Sequence, residues 1–98
     1  GENIYCAELE RVYQLFPGVL EVAAFGVPDE RLGEEVVLAV VPQPDATPTA
    51  DELRAFGRER LADYKIPSEF IFAPEPFVRN AVGKIDKGVL RRAYAERH

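Results

Sequence analysis

Cysteine occurs once, as Cys6, which excludes an internal disulfide and any multi-cysteine metal site. Histidine also occurs once, as His98 at the last position, where chain ends are commonly poorly ordered. A Ser–His or Cys–His catalytic pair and a zinc site therefore find little support. The longest unbroken apolar run, Val36 to Val41, is far shorter than the roughly 20 residues that cross a bilayer as a helix. No charged and apolar leader opens the chain, so nothing suggests export and a cytoplasmic location is expected. The first residue is glycine rather than methionine, and the chain reads as a trimmed chain or a fragment. Low-complexity runs and internal repeats are also missing.

What is present suits one small soluble domain. The 98 residues are 47% hydrophobic, enough for a single core. Charge is uneven: residues 79–98 hold six bases and two acids, although the whole chain carries a net −5. An acidic body with a basic tail argues against general nucleic-acid binding. It suits a site where a local positive end meets a small anion. The plainer explanation is that the terminal bases complement the dipole of a last helix.

Periodicity gives the order helix, strand, strand, helix, strand, helix. From Ala7 to Phe16, the residues Leu9, Val12, Tyr13 and Phe16 make one apolar helical face, with Glu8, Glu10, Arg11 and Gln14 on the wet side. Pro17-Gly18 stops that helix. Cys6, just before it, reads as a small buried hydrophobe. Val19–Val27 and Glu35–Val41 read as strands, separated by a Pro28-Asp29 turn and a polar connection that contains Gly33. Pro42 and Pro44 end the second strand. Thr49-Ala50-Asp51-Glu52 has the form of a capping box, and a helix is expected from there to about Ala62, burying Leu53, Phe56 and Leu61. Gly57 weakens this helix by roughly 1 kcal/mol relative to alanine. Pro67 forces Ile66 out of helical geometry. Glu69–Phe72 is a third strand. A loop from Ala73 to Ile85 leads to a helix from Asp86 to Glu96, with Val89, Leu90, Ala93 and Tyr94 facing inward. Three short strands need helices to cover them. The expected fold is therefore a small α+β sandwich, a mainly antiparallel three-stranded sheet flanked by helices.

The stretch around which the rest is arranged is Val78-Arg79-Asn80-Ala81-Val82-Gly83-Lys84-Ile85-Asp86-Lys87. Asn80 and Gly83 tolerate unusual backbone angles. Lys84 follows the glycine directly, which suits presentation of a cation to a ligand. It is not a phosphate loop. That motif needs glycine where Val78 stands and Ser or Thr where Ile85 stands. Taken by itself, the Gly-Lys pair is equally an ordinary turn with a solvated lysine.

Three segments together carry a resemblance. Arg79-Asn80-Ala81-Val82-Gly83-Lys84-Ile85, with Leu90-Arg91, resembles the last signature motif of the adenylate-forming enzymes: acyl-CoA synthetases, the adenylation domains of peptide synthetases, and firefly luciferase. Gly1-Glu2-Asn3-Ile4-Tyr5-Cys6-Ala7-Glu8-Leu9-Glu10 is similar to the tail of the family's hinge-following motif in its acyl-CoA synthetase form, although Cys6 stands where the family often has proline. Leu61-Ala62-Asp63-Tyr64-Lys65-Ile66-Pro67 is a third match. All three appear in the family's order, and the resemblance covers the whole chain.

The resemblance implies that residues 1–98 form the mobile C-terminal lid of an ATP-dependent acyl-CoA synthetase. The acid is fatty or similarly hydrophobic. ATP and Mg2+ are bound mainly by a large N-terminal domain absent from this sequence. Lys84 is the implied catalytic residue for adenylation, on a flexible tip at the rim of the lid. For thioester formation the lid swings, Lys84 leaves, and Gly1, Glu2 and Asn3 help form the tunnel for coenzyme A. A plain helix lead-in capped by Asn3 is an equal reading of those three. Tyr64 and Lys65 match positions that meet the coenzyme A nucleotide in some relatives, by stacking and charge. Ile66 stands where some relatives carry a base, and a half-buried Tyr64 with a solvated Lys65 is the competing account. Arg79 and Asn80 are expected to serve loop structure, and Lys87 to be solvated, with electrostatic assistance as its alternative. The alternatives are an adenylation domain that loads a carrier protein, an oxygenase like luciferase, and a non-catalytic binding module. The implied partners are the N-terminal domain, ATP, the acid and coenzyme A, with no nucleic acid and no transmembrane segment.

Overall fold

A computed structural model describes residues 5–29, 31 and 33–97, and it has the expected element order. The elements are α1 (Cys6–Tyr13), β1 (Val19–Asp29), β2 (Gly33–Pro42), α2 (Ala50–Arg58), β3 (Glu69–Phe72) and α3 (Lys87–Arg97), with one 3₁₀ turn at Asp63–Lys65. The sheet order is β1-β2-β3. β1 pairs antiparallel with β2 from Val19↔Pro42 to Asp29↔Gly33, with an irregularity between Val19 and Glu21. β3 joins β2 in parallel, from Val37↔Glu69 to Val40↔Phe72, and α2 makes the connection between them.

Both faces of the sheet are covered, which explains the unbroken apolar run in β2. On one face Val22, Ala24, Leu38, Val40 and Phe70 pack with Cys6, Leu9 and Tyr13 of α1 and Leu53 of α2. On the other face Ala23, Phe25, Val27, Val37, Ala39 and Val41 meet Phe77, with Ile85, Leu90 and Tyr94 partly buried against them. Register sets this division: Ala24 opposes Leu38 on the first face, and Phe25 opposes Val37 on the second.

Three boundaries and the burial of one helix differ from expectation. β1 runs through Pro28, which pairs with Glu34 rather than turning the chain. Proline is tolerated there because β1 is an edge strand. α1 stops at Tyr13, short of Phe16, and its N-cap is Tyr5, which makes no side-chain cap bond, while Asn3 lies outside the described residues. α2 ends at Arg58, so Leu61 is buried from beyond the helix. Ala93 of α3 is exposed, and no residue of that helix is buried.

Local signals otherwise act as the residues dictate. The Thr49 hydroxyl accepts from Glu52 N at 3.1 Å, and the Glu52 carboxylate accepts from Thr49 N at 2.9 Å, completing the capping box. Ile66, before Pro67, is extended at φ −62, ψ 130. Gly57 has a packing reason: a Cβ built on it would lie 2.1 Å from the Tyr13 hydroxyl.

Candidate functional site

The segment from Val78 to Asp86 is an ordered hairpin rather than an irregular loop. Arg79 and Ile85 form an antiparallel bridge. Asp86 N donates to Val78 O at 2.8 Å, Asn80 N to Lys84 O at 2.7 Å, and Gly83 N to Asn80 O at 3.0 Å. The Asn80 side-chain oxygen accepts from both Val82 N and Lys84 N at 3.0 Å. Gly83 has φ +86, a conformation that disfavours any side chain. Asn80 and Gly83 thus close the turn, and Lys84 follows it directly, opposite Asn80. The Asp86 carboxylate then accepts from Val89 N at 3.3 Å and starts α3 as a capping residue does.

Four cations gather around this hairpin. Arg79, Lys84, Lys87 and Arg91 line one groove of about 640 Å³, together with Glu10 and the Asn80–Gly83 turn. Each of the other three is engaged. Arg79 reaches the Glu21 carboxylate and donates to Gly83 O at 3.1 Å. Arg91 Nε donates to Gly26 O at 3.2 Å. Lys87 pairs with Glu10 at 2.8 Å and its side chain is only 17% exposed. Among the described residues nothing pairs with the Lys84 ammonium, and Lys84 is exposed.

Two corrections arise here. Lys87 is not solvated, because Glu10 lies across from it. Glu10 is not on a wet face either: besides Lys87, its carboxylate accepts from Ala24 N of β1 at 2.9 Å. Glu10 therefore ties α1 to β1 and to the start of α3.

Tyr64 and Lys65 sit in the 3₁₀ turn, in a separate depression lined also by Tyr5, Glu34 and Ser68. Tyr64 is 70% exposed, and its ring meets Tyr5 edge-on at 5.6 Å. Lys65 is not free in solvent: it bonds to Glu8 at 2.8 Å and lies within 6 Å of both tyrosine rings. The hydrogen bond to Glu8 raises the Lys65 pKa above its usual value, against the pull of desolvation. Gly1, Glu2 and Asn3 lie outside the described residues. The described residues contain no group of three or more histidine, cysteine or acidic side chains arranged to hold a metal ion.

Glu21 and Glu10 were the unread members of the site. Their partners stand 58 and 77 positions away, and no local spacing announces such a pair.

The profile of the AMP-binding enzyme C-terminal domain matches residues 8–84. The chain belongs to this family. Among relatives of this C-terminal domain, the 4-chlorobenzoate–CoA ligase of Pseudomonas sp. (strain CBS-3) is 45% identical over 86 residues, 87% of this chain and 16% of that protein. The long-chain-fatty-acid–CoA ligase FadD13 of Mycobacterium tuberculosis is 44% identical over 95 residues, 97% of this chain and 18% of that protein. ATP-bound MatB from Rhodopseudomonas palustris superposes with a TM-score of 0.84 at 36% identity, over 92% of this chain and 18% of its own. The chain thus spans less than a fifth of the length of these relatives, and the family places it at their C-terminal end. No helix among the described residues is long and apolar enough to cross a membrane.

Proposed function

We propose that this chain is the C-terminal lid of an ATP-dependent acyl-CoA synthetase and that Lys84 supplies the cation for adenylation. The supporting observation is the contrast among the cations. Arg79, Lys87 and Arg91 are bonded to the lid itself, whereas an ordered turn offers the Lys84 ammonium outward. In adenylation the acid's carboxylate attacks the α-phosphorus of ATP. An oxygen–phosphorus bond forms, the bond to the β-phosphate oxygen breaks, and pyrophosphate leaves. Negative charge concentrates at the reacting oxygens, where a fixed cation lowers the barrier. Lysine suits this as a compact charge with three donors.

In the second step the thiol of coenzyme A attacks the acyl adenylate and AMP leaves. The lid turns between the two steps, so that Lys84 withdraws and the segment of Gly1, Glu2 and Asn3 approaches the thiol's path. The exposed Tyr64 ring is available to stack on adenine. Lys65 already pairs with Glu8, so a phosphate there has to compete with that carboxylate. On this reading Mg2+ and the body of ATP are held mainly by the N-terminal domain. The acyl pocket belongs to the N-terminal domain, and the relatives' names run from chlorobenzoate and long-chain fatty acid to oxalate.

Lys84→Ala in the full-length enzyme is the test. Acyl adenylate formation should fall by on the order of 10²-fold or more, while thioester formation from supplied acyl adenylate persists. Equal loss in both half-reactions overturns the reading. The isolated 98-residue chain should release no pyrophosphate from ATP and an acid.

A further inference from the structure

We infer that Glu21, on β1, is a positioning residue for Lys84. The inference rests on the adenylation role proposed for Lys84. A carboxylate among Val19, Val22 and Ala23 in a strand is costly unless it is bonded. The Glu21 side chain is 15% exposed, and both of its oxygens are used. One accepts from Phe77 N at 3.3 Å, where the chain enters the hairpin. The other holds the Arg79 guanidinium. The same guanidinium donates through its second terminal nitrogen to the carbonyl of Gly83, the residue before Lys84. The line of contact is therefore β1 carboxylate, guanidinium, turn carbonyl, catalytic lysine.

The chemistry of the pieces argues for placement rather than simple pairing. A guanidinium is a planar fork that can serve a carboxylate and a carbonyl together; an ammonium on a lysine stem has no such fixed fork. Asn80 closes the turn from within, but its bonds all stay inside the hairpin. Among the described residues, Glu21 and the backbone around Phe77 connect that hairpin to the sheet by hydrogen bonds. An ordinary exposed ion pair contributes little, so a pair that merely decorated the surface would leave catalysis untouched.

The experiment uses the full-length enzyme with Glu21→Ala, Arg79→Lys, Lys84→Ala and the Glu21→Ala/Lys84→Ala double variant. Adenylation and thioester formation from supplied acyl adenylate are measured separately, with thermal melting alongside. Misplacing a catalytic group costs rate without loss of binding, so adenylation kcat should fall roughly tenfold in Glu21→Ala and in Arg79→Lys. KM for ATP and acid, and the thioester half-reaction, should hold. The double variant should be no slower than Lys84→Ala alone, because Glu21 acts through that lysine. Unchanged adenylation in Glu21→Ala beside a collapse in Lys84→Ala overturns the inference and leaves the function intact. So does an equal slowing of both half-reactions with a lowered melting point, the mark of a purely structural role. Normal adenylation in Lys84→Ala overturns the function itself. Should Glu21→Ala fail to fold, Arg79→Lys decides by the same criteria, since it keeps the charge and removes only the fork.

Discussion

The two faces of the sheet are built differently. The face under α1 and α2 is closed by fully buried side chains, among them Cys6, Leu9, Tyr13 and Leu53. The face under α3 and the hairpin is capped by partly buried Ile85, Leu90 and Tyr94, and no residue of α3 is fully buried. Polar contacts supply what packing does not: Arg91 to Gly26 O, Tyr94 to Glu69, Lys87 to Glu10 and Arg79 to Glu21. The dry face holds the fold together. The other face holds a set of charged groups in register around one lysine, and directional bonds do that better than apolar contact, which has no preferred direction.

Truncation is the strongest way to break this contrast. Leu9→Ala should cost about 2–5 kcal/mol, because it empties a fully enclosed site. Leu90→Ala should cost well under half as much, and urea denaturation of both variants gives the comparison. Equal losses would show that the two faces are packed alike.

Gly57 sharpens the account of the dry face. By helix propensity Gly57→Ala should stabilise α2 by roughly 1 kcal/mol. The Tyr13 hydroxyl occupies the space a methyl needs, so the net effect should be destabilising by about 1–3 kcal/mol. Adding Tyr13→Phe should recover most of that loss. Thermal melts of the two single variants and the double variant measure the coupling.

Two tyrosines give the smallest and most direct contrast. Burial pushes the Tyr13 pKa up to about 12, and its hydroxyl finds no hydrogen-bond partner among the described residues. The Tyr94 pKa is also raised to about 12, but first through the 2.8 Å hydrogen bond that its hydroxyl donates to Glu69. Tyr13→Phe should therefore stabilise by about 1 kcal/mol at neutral pH, and Tyr94→Phe should destabilise by about the same. In both cases the folded value exceeds the unfolded one. The folded state therefore holds each hydroxyl proton more tightly. Stability is independent of these groups below the ordinary pKa of 10.0 and falls as pH rises from there through about 12, for Tyr13 because a buried phenolate is costly and for Tyr94 because the bond to Glu69 is lost. Melting curves across that window should be flatter in each variant than in the parent chain.

Much of the fold was legible because its signals are local. The capping box at Thr49, the stop at Pro67 and the third strand at Glu69–Phe72 each depend on a few adjacent residues. Strand β1 runs past its expected end because Pro28, a turn signal by composition, lies on an edge strand and still pairs with Glu34. Within the candidate site, Lys84 was legible from the motif and the hairpin that carries it was not, since the Arg79–Ile85 bridge spans a segment read as loop. Lys87 and Lys65 were both open to a solvated reading, because the carboxylates that engage them, Glu10 and Glu8, lie on a helix at the far end of the chain. Gly57 is a weak point by helix propensity alone, and the Tyr13 hydroxyl that fills the space of a Cβ there is the long-range reason for it.

Cys6 leaves a practical legacy. It is the one thiol in the chain, it is fully buried, and it is the first residue of α1. A thiol so enclosed reacts with an aqueous reagent only when α1 lifts from the sheet. Its alkylation rate in this chain is therefore a native stopwatch for opening of the dry face, requiring no added probe.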